Sequence, residues 1–153
     1  MHILGFRSDP KTPRYAIVDG SSNPLTLLNA DTESRLRFPA DCNSEAAQVT
    51  WLYREFERIF QFHPDIGRVV IKKGEFTQGD NNAKRIASYQ EAALLLYCGL
   101  HSKPVVAKIY ASLATRSAHV EGHAIARVGQ TTKYWNGKMA DAVIAAWWGA
   151  TNP

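Results

Sequence analysis

Cysteine is scarce in this chain, and long apolar runs are absent. Cys42 and Cys98 are the only cysteines among 153 residues. They are too few and too far apart for a disulfide framework or a CxxC metal site, so we expect both thiols to be reduced. No stretch approaches the roughly 18–20 apolar residues that span a bilayer, and residues 1–5 lack the charged leader and apolar core of a signal peptide. We therefore expect a cytoplasmic protein without a membrane segment.

Two glycine-rich signatures of nucleotide binding are also missing. The sequence contains neither a GxxxxGK phosphate loop nor a GxGxxG fingerprint. These motifs use glycine so that backbone amides can approach phosphate groups closely. Their absence argues against a nucleotide-binding domain.

The composition is that of an ordinary globular domain with an uneven distribution of charge. Apolar residues make up 45% of the chain and charged residues 21%, which predicts one folded domain over residues 1–153. The net charge is +4, but residues 1–65 hold seven basic and nine acidic residues, whereas residues 66–153 hold eleven and five. The second half therefore carries the positive charge that phosphate backbones attract.

The hydrophobic pattern predicts an α/β protein. Short apolar runs between turn residues predict strands, and apolar residues at helical spacing predict helices. The predicted strands are residues 2–7, 14–18, 25–29, 68–73 and 103–110. The predicted helices are one that Asn43 or Ser44 caps and that runs to about residue 62, residues 81–101 with Asp80 as N-cap, residues 139–148, and a shorter one near 111–118. The order β-β-β-α-β-α-β-α predicts a mixed five-stranded sheet with helices on both faces.

Three stretches of the sequence are more informative than the rest. They are residues 3–9 (ILGFRSD), 68–73 (RVVIKK) and 137–147 (GKMADAVIAAW). These stretches resemble the first strand, fourth strand and last helix of the RuvC-like branch of the ribonuclease H-like fold, which includes the RuvC-type Holliday-junction resolvases. The resemblance covers nearly the whole chain, because the predicted element order is also that of ribonuclease H-like domains.

The resemblance implies a metal site whose acidic residues are mostly replaced. Nucleases of this type bring carboxylates together so that two divalent ions hold the attacking and leaving oxygens of a phosphodiester. In this chain Arg7, Lys72 and Lys138 stand where such enzymes carry acids, and only Asp141 remains. One carboxylate among three cations cannot hold two Mg²⁺ ions, because the metal needs oxygen ligands and is repelled by neighbouring positive charge. No metal cofactor is therefore favoured.

The positive residues of these stretches predict an anion site. Because the ends of adjacent parallel strands and the facing helix lie together at one edge of a sheet, Arg7, Lys72 and Lys138 are expected to converge there and to suit phosphate. Lys73 extends this cationic group. Tyr134 and Trp135 add aromatic rings that could stack on unpaired bases. A structural alternative for Asp141 is a buried salt bridge to Arg7 or Lys72, since an unpaired buried carboxylate is costly.

The favoured function is that of a catalytically inactive RuvC-like protein, a pseudo-nuclease, that binds nucleic acid or belongs to a DNA-processing complex. The resemblance implies DNA as partner and a homodimer. One alternative is an active endonuclease using Mg²⁺ or Mn²⁺ on relocated carboxylates, for which the candidates are Asp9, Asp19, Glu75 and Asp141. A second alternative is a protein-interaction subunit in which the cations form only a salt-bridge network.

Overall fold

The centre of the molecule is a five-stranded mixed sheet with the strand order β3-β2-β1-β4-β5. The computed structural model describes all of residues 1–153. Strand β1 pairs antiparallel with β2 and parallel with β4, and β4 pairs parallel with β5. The strands are β1 (His2–Arg7), β2 (Arg14–Asp19), β3 (Thr26–Leu27), β4 (Ile66–Lys72) and β5 (Val105–Lys108).

Four α-helices cover the sheet, and three of them begin at a side-chain cap. Ser44, Asn81 and Asn136 each accept a hydrogen bond from a backbone amide of the first helical turn, which satisfies a donor that the helix itself leaves free. The helices are α1 (Glu45–Phe62), α2 (Asn82–Leu100), α3 (Val120–Arg127) and α4 (Gly137–Thr151), and a short 3₁₀ helix spans Tyr110–Leu113. No helix has the length and hydrophobicity needed to cross a membrane.

The two faces of the sheet bury separate cores because side chains alternate along each strand. Leu4 and Phe6 of β1 pack into a core with helices α1 and α2. Ile3 of β1 and Val70 of β4 lie in the other core, with α3 and α4. By the same alternation, Arg7 and Lys72 belong to the face that α4 covers, which positions both side chains for the site described below.

Helix α4 packs against β1 at very short distance. A Cβ atom on Gly5 would lie 1.9 Å from the carbonyl oxygen of Ala142 and 2.6 Å from the amide nitrogen of Ala146. Only glycine on the strand and small residues on the helix allow this approach. The alanine-rich sequence of α4 is therefore explained by its direct contact with the sheet.

The predicted fold class is confirmed, with corrections to several elements. The N-cap of α2 is Asn81 rather than Asp80, since it is the Asn81 side chain that accepts from the backbone amide of Lys84. Leu100, the last residue of α2, is 65% exposed. The predicted helix near 111–118 is replaced by the 3₁₀ helix and by α3, which begins only at Val120. Ala114 has a left-handed backbone (φ 55°), which ends the 3₁₀ helix.

Candidate nucleic-acid interface

The predicted site residues meet at the carboxyl ends of β1 and β4. Arg7 and Lys72 are direct partners in the parallel register of these strands, and the first turns of α4 bring Lys138 and Asp141 to the same edge. An open cleft of about 420 Å³ lies here. Its lining is mostly polar and comprises Arg7, Asp9, Arg14, Tyr110, Ser117, Val120, Asn136, Gly137, Lys138 and Asp141.

Asp141 lies at the inner end of the cleft with both carboxylate oxygens engaged. Arg7 donates from Nε to Oδ2 at 2.8 Å, and the Tyr110 hydroxyl donates to Oδ1 at 2.7 Å. The residue is only 2% exposed. Burial raises the pKa of this carboxyl above its ordinary value, although the hydrogen bonds from Tyr110 and Arg7 and the nearby charge of Lys72 oppose the shift. Asp141 is thus held by protein groups on both sides.

Lys72 is a buried ammonium rather than a surface cation. The residue is 1% exposed, and its Nζ donates to the backbone carbonyl of Lys73 at 2.6 Å. The same atom lies 3.9 Å from the centre of the Tyr110 ring, a cation–π distance. Burial lowers the pKa of Lys72, and the charge of Asp141 partly counters this effect. Lys72 therefore contributes positive charge to the cleft without lining it.

Lys138 pairs with Asp9 instead of Asp141. The ammonium of Lys138 forms an ion pair with Oδ1 of Asp9. Oδ2 of Asp9 accepts from the backbone amides of Thr12 at 2.8 Å and Lys11 at 3.1 Å. Burial alone would raise the pKa of Asp9, but the hydrogen bonds from Lys138, Thr12 and Lys11 outweigh it and lower the pKa to about 2. The carboxylate of Asp9 is therefore ionised throughout the neutral range.

Four residues of the site were not predicted from the sequence. Gln90 of α2 bonds both the amide and the carbonyl of Asp9, at 3.0 and 2.8 Å, and fixes the turn after β1. Arg14 is buried and lines the cleft. Glu91 carries a buried carboxylate oxygen without a hydrogen-bond partner, and burial raises its pKa although the nearby charges of Arg7 and Lys72 oppose the shift. The fourth residue is Tyr110, which ends the predicted strand 103–110. Its place at the end of that strand was the one sequence feature that could have assigned it to this edge of the sheet.

The remaining candidate residues lie apart from the centre of the cleft. Asp19 pairs with His2 at the opposite end of β1 and accepts hydrogen bonds from Ser21. Glu75 accepts a hydrogen bond from the backbone amide of Tyr110 at 3.2 Å. The structure thus brings Asp9 and Asp141 to one cleft, but it does not bring Asp19 with them.

The aromatic and flanking cationic candidates differ in accessibility. Tyr134 is 49% exposed, and the Arg35 guanidinium lies 3.5 Å from the centre of its ring. Trp135 is half-buried against the core that contains α4. Lys73 lies with its Nζ 4.9 Å from the ring centre of the exposed Phe76. Of the two predicted aromatic site residues, Tyr134 is more exposed than Trp135.

Two divalent metal ions do not fit this arrangement of residues. No group of three or more His, Cys, Asp or Glu side chains is placed to hold a metal ion. The oxygens of Asp141 accept from Arg7 and Tyr110, and Asp9 is paired with Lys138. A divalent cation would have to displace these donors and would then meet the positive charges that remain.

The architecture is similar to that of Holliday-junction resolvases of known structure, although neither a protein-family model nor a curated protein sequence matches the chain. Thermus thermophilus RuvC in complex with a Holliday junction superposes with a TM-score of 0.76 at 14% identity, over 99% of this chain and 97% of RuvC. The Fowlpox virus resolvase bound to its junction DNA gives 0.54 at 16% identity, over 99% and 97%. The yeast mitochondrial resolvase gives 0.60 at 9% identity, over 97% and 75%. The fold is therefore the RuvC-like form of the ribonuclease H-like fold.

Proposed function

We propose that this protein is a RuvC-like pseudo-nuclease that binds nucleic acid, preferably DNA, without cutting it. The observation that carries the proposal is the state of the two acids in the cleft. Asp141 is bonded by Arg7 and Tyr110, and Asp9 is paired with Lys138. These contacts support the proposal, because the carboxylate oxygens that a divalent metal ion would need already accept hydrogen bonds or ion pairs from protein groups.

The cleft has the charge and exposure needed to receive phosphate. Three cations and two carboxylates line it, and the buried Lys72 adds positive charge from behind. Lys138 has 43% of its side chain exposed and Arg7 has 22%. These two side chains can donate to a phosphate oxygen from the cleft wall while remaining near their carboxylate partners.

The solved relatives suggest the nucleic acid to test first. Thermus thermophilus RuvC and the Fowlpox virus resolvase are both described in complex with Holliday-junction DNA. We propose branched DNA as the preferred substrate, with this chain acting as a homodimer or within a larger DNA-processing complex. A single domain over residues 1–153 and a cytoplasmic location remain predictions.

A binding and cleavage assay with one set of DNA substrates tests the proposal. The protein is titrated with a four-way junction, a duplex and a single strand at two salt concentrations, with Mg²⁺ or Mn²⁺ present. We expect binding that weakens as salt rises, by a log–log slope of roughly −0.9 per phosphate contacted on duplex DNA, and no cleavage. Cleavage that disappears in Asp141→Ala would overturn the inactive assignment. Absence of binding at low salt would overturn the nucleic-acid assignment.

The interaction-subunit alternative also has support from one observation. Lys72 and Asp141 are 1% and 2% exposed, and such burial is expected of a network that stabilises the core. The same titration separates the two functions, because a purely structural network predicts no salt-dependent DNA binding. The relocated-carboxylate alternative has no comparable support, since Asp19 lies at the far end of the sheet.

A further inference from the structure

A second positively charged depression lies beside the cleft and belongs to neither the buried network nor the predicted anion site. We call it the arginine groove. It has a volume of about 340 Å³ and is lined by Pro10, Lys11, Thr12, Arg35, Arg37, Phe38 and Gln48. Three of these seven residues are cations and none is acidic. The charge of the groove is therefore of one sign.

The backbone fixes the two arginines of the groove on one side of an extended segment. Residues 34–36 run alongside the start of β2, with the Tyr15 amide donating to the Ser34 carbonyl and the Leu36 amide to the Pro13 carbonyl, both at 2.9 Å. Leu36 is 2% exposed and points into the core. Because side chains alternate along extended backbone, Arg35 and Arg37 project to the opposite side.

The cations of the groove have no carboxylate partners. The molecule contains six residue pairs in ion contact, and Lys11, Arg35 and Arg37 take part in none of them. In contrast, Arg7 and Lys138 of the cleft are both paired. The guanidinium of Arg35 is oriented by the Tyr134 ring, which leaves its N–H groups free for another acceptor.

The arginine groove is continuous with the cleft across a single turn. Thr12 lines the groove, while its amide and hydroxyl both donate to the cleft residue Asp9. On the other side, Arg14 lines the cleft and forms a β-bridge with Arg35. A polyanion that lies in the cleft and crosses this turn would meet three unpaired cations.

We propose that the arginine groove binds the sugar–phosphate backbone of the same nucleic acid, as a continuation of the cleft. This inference rests on the proposed function. It assigns most of the salt-sensitive affinity to Lys11, Arg35 and Arg37, because unpaired cations release counterions on binding phosphate, whereas paired cations are already neutralised. Phosphate contacts of this kind position the ligand without reading its sequence.

The test compares two double variants with equal loss of charge. Arg35→Gln with Arg37→Gln removes the groove arginines. Arg54→Gln with Arg85→Gln removes two arginines whose side chains are 75% and 63% exposed on helices α1 and α2, where they line neither depression. On a DNA duplex, we expect the log–log salt slope of the groove variant to fall in magnitude by about 1.8, since each phosphate contact contributes about 0.9. The control should keep the parent slope.

Three outcomes would overturn the inference, and they can be told apart. If the parent binds DNA and the groove variant retains the parent slope, the groove is not part of the interface, but the proposed function stands. If the parent does not bind DNA, both proposals fail. If the groove arginines are needed to bind a polyglutamate peptide but not DNA, the groove recognises an acidic protein instead. Thermal melting of each variant verifies that all proteins are folded.

Discussion

At the scale of single residues, Asp141 lies at the centre of a buried network of hydrogen bonds and positive charges. Its two oxygens accept from Arg7 and Tyr110, and Lys72 lies behind them. A buried charge that loses its partner is far more costly than an exposed one, because no water replaces the lost interaction. The stability of the site therefore depends on this one carboxylate.

We predict that Asp141→Asn lowers the free energy of unfolding by about 3–5 kcal/mol, because it leaves Arg7 and Lys72 without their counter-ion. Asp80→Asn is the matched control. Its ion pair with Arg85 is largely exposed, with 58% of the Asp80 side chain accessible, so a change of about 0–1 kcal/mol is expected. Urea unfolding of the parent and both variants measures the difference.

Phosphate gives a second measurement on the same variants. With Asp141→Asn, inorganic phosphate should raise the melting temperature more than it does in the parent, because an anion that binds only the folded state stabilises it. Equal losses of stability in the two Asn variants, with no phosphate effect, would show that Asp141 is not the centre of a charged network.

At the scale of elements, the contact between α4 and β1 sets the position of the whole site. Helix α4 carries Lys138 and Asp141, while β1 carries Arg7 and leads into Asp9. The absence of a side chain on Gly5 allows the helix to lie directly on the strand. Any change that pushes α4 away from the sheet must also separate Arg7 from Asp141.

We predict that Gly5→Ala destabilises the protein by about 3 kcal/mol, because the new Cβ would overlap the carbonyl oxygen of Ala142 and backbone cannot move as a flexible side chain does. Gly99→Ala is the control, since Gly99 lies in α2 with no atom within 4 Å of its added Cβ. That substitution should stabilise by roughly 0.5–1 kcal/mol through helix propensity. Chemical denaturation measures the free energy of unfolding of both variants. A Gly5→Ala protein as stable as the parent would contradict the close packing of α4 on β1.

At the scale of the whole molecule, the fold is similar to that of Holliday-junction resolvases of known structure. The TM-score of 0.76 to Thermus thermophilus RuvC extends over 99% of the chain. The parallel register of β1 and β4 still places residues 7 and 72 side by side. Acids placed at residues 7 and 72 would therefore lie side by side.

We predict that the combination Arg7→Asp, Lys72→Glu and Lys138→Asp gains thermal stability from Mn²⁺, because carboxylates gathered beside Asp141 would supply the oxygen ligands that the parent lacks. The parent should show no such gain. A charge-matched control is Arg54→Asp, Arg85→Glu and Lys133→Asp, which alters three exposed residues outside the cleft. Melting temperatures measured with Mn²⁺ and with EDTA test this prediction. Equal changes in melting temperature for the two triple variants would contradict it.

The sequence by itself determined the fold and the edge of the sheet where the site lies. Apolar runs and helical spacing predicted the five strands and the long helices, because periodicity follows directly from the geometry of each element. The common location of Arg7, Lys72 and Asp141 was also predictable, since the carboxyl ends of β1 and β4 meet at one edge and the helix that carries Asp141 faces them. The helix near residues 111–118 was misplaced because short segments carry little periodic signal.

Only the tertiary structure decided how the charges are paired. Lys138 was expected to join the group around Asp141, but the turn held by Gln90 carries Asp9 to it instead. The charge balance of the two halves predicted that phosphate-binding cations lie in residues 66–153. The unpaired cations of the arginine groove, Lys11, Arg35 and Arg37, come instead from the first half. Pairing joins residues as far apart in sequence as Arg7 and Asp141, separated by 134 positions. Such contacts depend on how turns and packed elements bring side chains together, which no local pattern encodes.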